Sequence, residues 1–381
     1  LEDPFSLNLW SLAAAETNGN AINFDPSTSA AWTIVTTAGG IAGFSADAFQ
    51  IATGPTDGTG GFSNDIQGGS WSVAQDGNDL RLLFTPGEPV SDIVITVASG
   101  SQTQAQAGYP SIITANSVTK NGTGTLVFDA ANAYTGPTAV VAGTLEIRVA
   151  NAVAASNVTI DTGATLAVTS GVMMRAPSVI VDGGTLTGDD LEVDGSTGIS
   201  ALAINAGTLA GTPAVTISSG GQMSLVQDAR VTVTIGSLAV DQALGGGRLD
   251  LGAGGVTIAA GGITAAEVRA DIIAGRNGGA WSGTAGITSS AAAASGGTRA
   301  VGYVVAGDGF ATVSFAAPGD SNLNGQVDVF DLVAINSTGK YGTGTASVWS
   351  QGDFNYDGVT NVFDLVSVNS AGAYGQGNYF P

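Results

Sequence analysis

Short hydrophobic runs alternate with polar residues and restart after glycine through the middle of the chain: Gly143-Thr144-Leu145-Glu146-Ile147, Gly163-Ala164-Thr165-Leu166-Ala167-Val168, Gly184-Thr185-Leu186-Thr187 and Gly207-Thr208-Leu209-Ala210. Their leucines stand 21, 20 and 23 residues apart. Strict alternation marks a half-buried strand, and a repeat near 20 residues is the length of one coil of a parallel β-solenoid. In such a coil the glycine turns the corner and the leucine points into the stack. Weaker copies, Gly221-Gln222-Met223-Ser224-Leu225 and Gly247-Arg248-Leu249-Asp250-Leu251, carry the pattern to 251. The expectation is an all-β chain with a solenoid over 119–251; a glycine-rich sandwich with chance spacing is the alternative.

Flanking segments have other textures. Residues 1–88 carry strand-like runs at Ser6–Trp10, Trp32–Val35, Trp71–Ala74 and Leu80–Phe84. Asp76-Gly77 sits between the last two as a hairpin connection, so an N-terminal β unit is expected, closing at Pro86-Gly87-Glu88-Pro89. Residues 89–118 read as a strand, Ile93–Val97, then a polar loop or linker, Ser101-Gln102-Thr103-Gln104-Ala105-Gln106. In 252–317, Val268, Ile272 and Ile273 share one face of a helix over Thr264–Ala274, with Gly275 as its stop. Strands are expected at Ala300–Val305 and Ala311–Phe315. An uncovered last coil would offer unpaired backbone groups to other chains, so this stretch reads as a cap; the alternative is a small independent α+β unit.

The stretch from Lys120-Asn121-Gly122-Thr123-Gly124-Thr125-Leu126-Val127-Phe128-Asp129 through Ala133-Tyr134-Thr135-Gly136-Pro137-Thr138 to Gly143-Thr144-Leu145 resembles the autotransporter-associated β-strand repeat of large exported bacterial proteins. The resemblance covers about 119–170 and fades beyond. It implies an exported, rod-like scaffold, and the family offers no shared catalytic residues to carry over.

Composition narrows the chemistry. Ten Lys and Arg against 31 Asp and Glu give a net charge of −21, a field that repels phosphate backbones and anionic lipid and suits a cation-rich extracellular setting. Neither Cys nor His occurs, which removes thiolate nucleophiles, the usual zinc ligands and imidazole acid–base chemistry. The absence of Cys also fits export without disulfides. No apolar run is long enough to span a bilayer as a helix. The opening Leu1-Glu2-Asp3-Pro4 lacks a Met or a signal-peptide core and reads as a processed piece of a longer precursor.

One motif carries chemistry. Two 12-residue segments in 318–381 align without gaps, 33 residues apart: Asp320-Ser321-Asn322-Leu323-Asn324-Gly325-Gln326-Val327-Asp328-Val329-Phe330-Asp331 and Asp353-Phe354-Asn355-Tyr356-Asp357-Gly358-Val359-Thr360-Asn361-Val362-Phe363-Asp364. Oxygen side chains fall at positions 1, 3, 5, 9 and 12 with Gly at 6, the calcium-loop pattern, because Ca²⁺ needs six to eight oxygens from a chain that turns sharply around it. Position 7 gives its main-chain carbonyl, so Gln326 and Val359 need no particular side chain. The expected ligands of two Ca²⁺ ions are Asp320, Asn322, Asn324, Gln326, Asp328 and Asp331, and Asp353, Asn355, Asp357, Val359, Asn361 and Asp364. Position 12 is Asp where the EF-hand usually has Glu, a shorter reach; a pair of Asx-rich turns is the plainer reading.

Each loop leads into a near-identical apolar stretch, 329–336 and 362–369, that reads as an exiting helix, whereas Pro318-Gly319 and Gln351-Gly352 leave no entering one. A loop-then-helix duplication of this kind resembles the type I dockerin family over about 319–374. That resemblance implies a docking module, but Val329-Phe330 and Val362-Phe363 stand at positions 10 and 11, where dockerins often carry hydroxyl-bearing residues. Buried apolar pairs there would suit packing of the two helices on each other, on Trp349 or on a neighbouring subunit.

An enzyme reading rests on Asp190, Glu192 and Asp194, which alternate along one expected strand and would share a face, with Arg175 or Arg230 as helpers. A solvated strand face is the plainer reading, since 140–250 holds no Trp, Tyr or Phe to line a sugar groove. The expectation is a secreted, non-enzymatic structural protein of the cell surface or matrix, calcium-stabilised and self-assembling as a homo-oligomer or fibre. The alternatives are a dockerin-type module that binds a protein receptor or glycan and, behind it, a polysaccharide-active enzyme; no nucleic acid or membrane span is expected.

Overall fold

A computed structural model of the chain describes all residues except 1–4, 27, 56–59, 65, 67, 88–90, 227–229, 244 and 381. Leu1-Glu2-Asp3-Pro4 and the end of Pro86-Gly87-Glu88-Pro89 therefore lie outside the described residues. The fold forms two compact units, Leu1–Val90 and Ser91–Pro381.

In the first unit an antiparallel sheet has the order Ala30–Thr36, Asp79–Thr85, Ser70–Asp76. Its hairpin pairs Asp76 with Asp79, so the two-residue turn is Gly77-Asn78, one position later than expected. Gly77 takes φ +61°, a conformation that glycine adopts without a Cβ penalty. Trp71 stands at the centre of an aromatic cluster with Phe24, Trp32, Phe62 and Phe84 at centroid distances of 5.0–5.9 Å.

The second unit is a parallel β-solenoid. One face is a nine-stranded parallel sheet running from Asp92–Thr96 through Ser117–Asn121, Thr138–Val140, Val158–Asp161, Ala176–Asp182, Ile199–Ile204, Gln222–Leu225 and Arg248–Asp250 to Gly286–Thr288. A second, six-stranded face holds the Gly-Thr-Leu phrases, and their register stacks Leu126, Leu145, Leu166, Leu186 and Leu209 in one buried column. From Asp190 a third face adds Asp190–Asp194, Ala214–Ser218 and Ser237–Val240. Each coil thus buries its apolar side only because another coil lies on it.

Three expectations shift. The strand expected at 93–97 is there, Asp92–Thr96 paired with Ser117–Asn121, but the polar stretch after it is not all loop: Ser101–Thr103 pairs with Thr125–Val127, so both belong to the first coil. The weak repeats at 221 and 247 stack on the nine-stranded face rather than on the Gly-Thr-Leu column: Met223 stands only 14 residues after Leu209, short of a full coil, and pairs with Leu202 and then Leu249. The stack also runs past 251, since Gly286–Thr288 pairs with Arg248–Asp250 and Gly255–Ile258 pairs with Thr232–Ile235.

Parallel stacking ends where Ala311–Ala316 pairs antiparallel with Gly255–Ile258 and then with Ala300–Val305. The cap helix is Ala265–Arg276, started by a Thr264–Glu267 capping box. Gly275 lies inside this helix rather than ending it: a Cβ there would collide with the Ile287 backbone, and Asn277 in the left-handed region makes the C-cap. Val268 and Ile272 are buried, but Ile273 is 43% exposed, so the expected three-residue face holds only two.

Candidate metal centres in the C-terminal pair

Both loops close as the spacing requires. In the first, Asp320 Oδ2 accepts from the Gly325 amide at 2.8 Å and Oδ1 from the Asn324 amide at 3.1 Å. In the second, Asp353 Oδ2 accepts from the Gly358 amide at 3.1 Å. Asn322, Asn324, Asn355 and Asp357 each fold back on the amide two residues ahead, at 2.8–3.0 Å. Position 4, Leu323 or Tyr356, takes φ near +60°, and position 6 is a glycine at φ +90° or +95°. A non-glycine residue held in that region marks a loop overdetermined by its contacts.

Position 12 ties each loop shut. Asp331 Oδ1 accepts from the Ser321 amide and hydroxyl, both at 3.0 Å, while Oδ2 accepts from the Asp328 amide at 3.0 Å. Asp364 does the same with the Phe354, Asn355 and Asn361 amides. Position 9 serves as the N-cap: Asp328 starts the helix Val329–Ser337 and Asn361 the helix Val362–Ala371. Gln326 is exposed, and Val359 bridges to Ala346 through its backbone.

Four carboxylates, Asp320, Asp331, Asp353 and Asp364, are almost fully buried. Burial pushes the Asp320 carboxyl up, and Asp331 adds to the shift; burial likewise raises Asp353 and Asp364. Buried like charges need a compensating cation or proton. Asp353 Oδ1, moreover, is buried without any hydrogen-bond partner. An acceptor left so costs about 1–3 kcal/mol, and more when charged, unless something satisfies it. The donor set is one of hard oxygens, carboxylate, amide and carbonyl, which fits Ca²⁺ and suits soft-ligand metals poorly. No three Asp, Glu, His or Cys side chains cluster as a metal-holding group among the described residues; the loops mix carboxylates with amides.

The pair is mounted on the solenoid cap by residues that motif reading missed. Trp349 is wholly buried; its Nε1 donates to the Asp320 carbonyl at 2.7 Å and its ring packs on Phe354 and Tyr356. A Cβ at Gly302 would run into that indole. Tyr356 Oη donates to the Val301 carbonyl at 2.6 Å, and Arg299 Nη1 to the Ala371 carbonyl at 3.1 Å. Tyr379 Oη donates to Asp320 Oδ2 at 2.6 Å, and Arg269 of the cap helix reaches Asp353 Oδ2 at 3.4 Å and the Tyr356 carbonyl at 2.9 Å. Apart from Trp349 and Tyr356, which the sequence already places in or beside the motif, these partners are hidden by sequence distance, 84 residues for Arg269 and Asp353.

Two expectations about side chains are overturned. The apolar pairs at positions 10 and 11 are not buried on each other or on Trp349: Phe330 is 73% and Phe363 64% exposed, with Val329, Val333, Val362 and Val366 each more than half exposed. Each helix instead buries a residue further along, Ile335 in the first and Val368 in the second, beside Gly352 and Gly319 respectively, and leaves its Val-Phe pair outward. Asp190, Glu192 and Asp194 do lie on one strand, but Asp194 is buried and held by Ser196, Thr197 and Ser218 at 2.7–3.0 Å, bonds that push its carboxyl well down. It is a strand-end clasp. Arg230 lies 3.9 Å over the Phe380 ring, and Arg175 is exposed.

Residues 118–147 match the passenger-associated-transport-repeat family, a span holding two strands of each main solenoid face. No curated protein matches the chain at a significant level. Among the described residues no helix is long and apolar enough to cross a membrane.

Proposed function

We propose that this chain is an exported surface protein whose work is structural: a solenoid rod with a C-terminal pair of calcium loops that stiffens its end. The single observation that carries the reading is the continuous parallel stack over Asp92–Thr288, which contains the passenger-associated repeat match. Calcium would be held by Asp320, Asn322, Asn324, the Gln326 carbonyl, Asp328 and Asp331, and by Asp353, Asn355, Asp357, the Val359 carbonyl, Asn361 and Asp364. When bound it would supply positive charge among buried carboxylates, and no reaction is routed through it. The reading is non-catalytic: His and Cys are absent, both Asp194 carboxylate oxygens are engaged, and a cavity of about 320 Å³ in the first unit is lined, among the described residues, by Trp10, Phe24, Trp32 and neutral neighbours.

Self-assembly is the extension of this reading, and electron microscopy of the purified chain tests it. Ordered filaments or sheets in millimolar calcium that disperse on chelation support a calcium-stabilised subunit; dispersed monomers in both states remove self-assembly. Thermal unfolding tests the ions themselves. Asp320→Ala and Asp353→Ala should each reduce the calcium-induced rise in Tm, through loss of linkage; an undiminished rise in the double variant would refute the loops as the sites.

A docking reading is favoured by one observation, the twofold exposure of Val-Phe on parallel positions of the two helices. Exposed aromatic pairs of this kind are anchors for a protein partner. On that reading the chain is a stable monomer in calcium, and Phe330→Ser with Phe363→Ser abolishes partner capture without moving Tm.

A further inference from the structure

Resting on the calcium reading above, we propose that the two loops are cation sites of unequal affinity and that Arg269 sets the difference, making the second loop the weaker. By sequence the loops are equivalent in carboxylate count, with Asp at 1 and 12 and a third each, Asp328 at position 9 of the first and Asp357 at position 5 of the second. Their surroundings are not. The first-loop carboxylate Asp320 is met from outside by a neutral group, the Tyr379 hydroxyl on Oδ2. On that side Arg230 and Arg299 stand over the faces of Phe380 and Tyr379 rather than in an ion pair with Asp320 among the described residues.

The second loop has a guanidinium in contact. Arg269 Nη2 lies 3.4 Å from Asp353 Oδ2 and donates to the Tyr356 carbonyl, and a Cβ on Gly358 would touch the same nitrogen at 3.5 Å. Asp353 is 1% exposed at its side chain and Arg269 28%, so solvent screens this pair little. The cation sits on the oxygen that also takes the Gly358 amide, and leaves Oδ1 buried and unpartnered. The ligand oxygen therefore stays available while the site as a whole has lost about one unit of negative charge. Calcium affinity in such loops is tuned by ligand charge count, so the second site falls below the first.

The same contact gives Arg269 a second role. With no calcium it offsets a buried carboxylate and fastens the loop to the cap helix, so the second loop remains ordered at low calcium. The solenoid end is thus secured by a protein cation at one loop and depends on a dissolved one at the other.

Isothermal titration of the calcium-depleted full chain with calcium alone reads this directly. The expected result is two steps separated tenfold or more in Kd. Asp320→Asn should remove the tight step and Asp353→Asn the weak one. Arg269→Gln should tighten the weak step at least threefold and lower the Tm of the calcium-free chain, while Arg269→Lys keeps the separation. Two equal steps, or a weak step that Arg269→Gln leaves unchanged or weakens, would overturn the inference while leaving the calcium reading intact. No binding heat at any calcium concentration, with no calcium-induced Tm shift, would overturn both.

Discussion

The solenoid body and the C-terminal pair are both built by repetition, yet repetition means different things in them. In the solenoid, equivalent residues find equivalent surroundings: Leu145, Leu166 and Leu186 are each wholly buried between a leucine of the coil below and one of the coil above. In the pair, Asp320 and Asp353 hold the same motif position and meet a tyrosine and an arginine respectively. A coil contacts only its neighbours, so translation along the stack preserves every environment. The two loops instead meet different neighbours, Tyr379 near the end of the chain at one and the helix Ala265–Arg276 at the other, so equal motif positions do not carry over to chemistry.

Substitutions can break or sharpen that contrast. The largest effect is expected at Trp349→Ala, which removes a wholly buried indole and its bond to the Asp320 carbonyl; about 3–5 kcal/mol should be lost in chemical denaturation. A loss confined to one loop's calcium affinity, with stability unchanged, would show that the pair is not anchored through this residue. Next, Leu166→Ala and Leu186→Ala should each cost roughly 2–5 kcal/mol and differ little from each other, since their columns are alike. Strongly unequal costs would contradict the equivalence of coils.

A pH effect separates the cap from both. Burial pushes the Asp271 carboxyl up to about 6, opposed by its bond from Gln242 at 2.6 Å and reinforced by Glu267. Because the folded value exceeds the unfolded one, this stabilising contribution is full below pH ~4 and is lost as pH rises through about 6. Asp271→Asn should therefore stabilise the chain by roughly 2 kcal/mol at pH 8 and by little at pH 4 in thermal melts. A gain of equal size at both values would assign the effect to packing.

Smaller still is a test of the corners. Gly143, at φ +66°, packs on the Gly122 and Gly124 carbonyls, whereas Gly163, at φ +80°, has open space where a Cβ would stand. Gly163→Ala should cost about 1 kcal/mol from backbone conformation alone, and Gly143→Ala distinctly more. Finally, Phe330→Ser and Phe363→Ser should shift stability by no more than about 0.5 kcal/mol, since both rings stand in solvent. A larger loss on dilution-sensitive melting would place them in an interface between copies.

How far the sequence could be read follows from the range of each signal. The Gly-Thr-Leu phrases announced their own strands because alternation and corner glycines are local. Residues 101–103 were missed as a strand because Ser-Gln-Thr has no apolar alternation; they pair only because Thr125–Val127 lies alongside. Lys120, in a column of Ile95 and Val140, looks misplaced by pattern, but its Nζ is met by the Asn121, Gly122 and Ala142 carbonyls at 2.7–3.0 Å. In the pair, the turns of both loops and the helices after them were legible, while the outward turn of Phe330 and Phe363 was not, because helix periodicity does not say which face a neighbour covers.

The sequence by itself determined the coil, the corners and the two loops, since each is a pattern complete within about 20 residues. Tertiary structure alone decided where the stack begins and ends, which face each late repeat joins, and which cation stands beside which carboxylate. These depend on the length of every coil in between, which accumulates along the stack. Arg269 meets Asp353 because the cap places its helix over the second loop, a juxtaposition that no local pattern encodes.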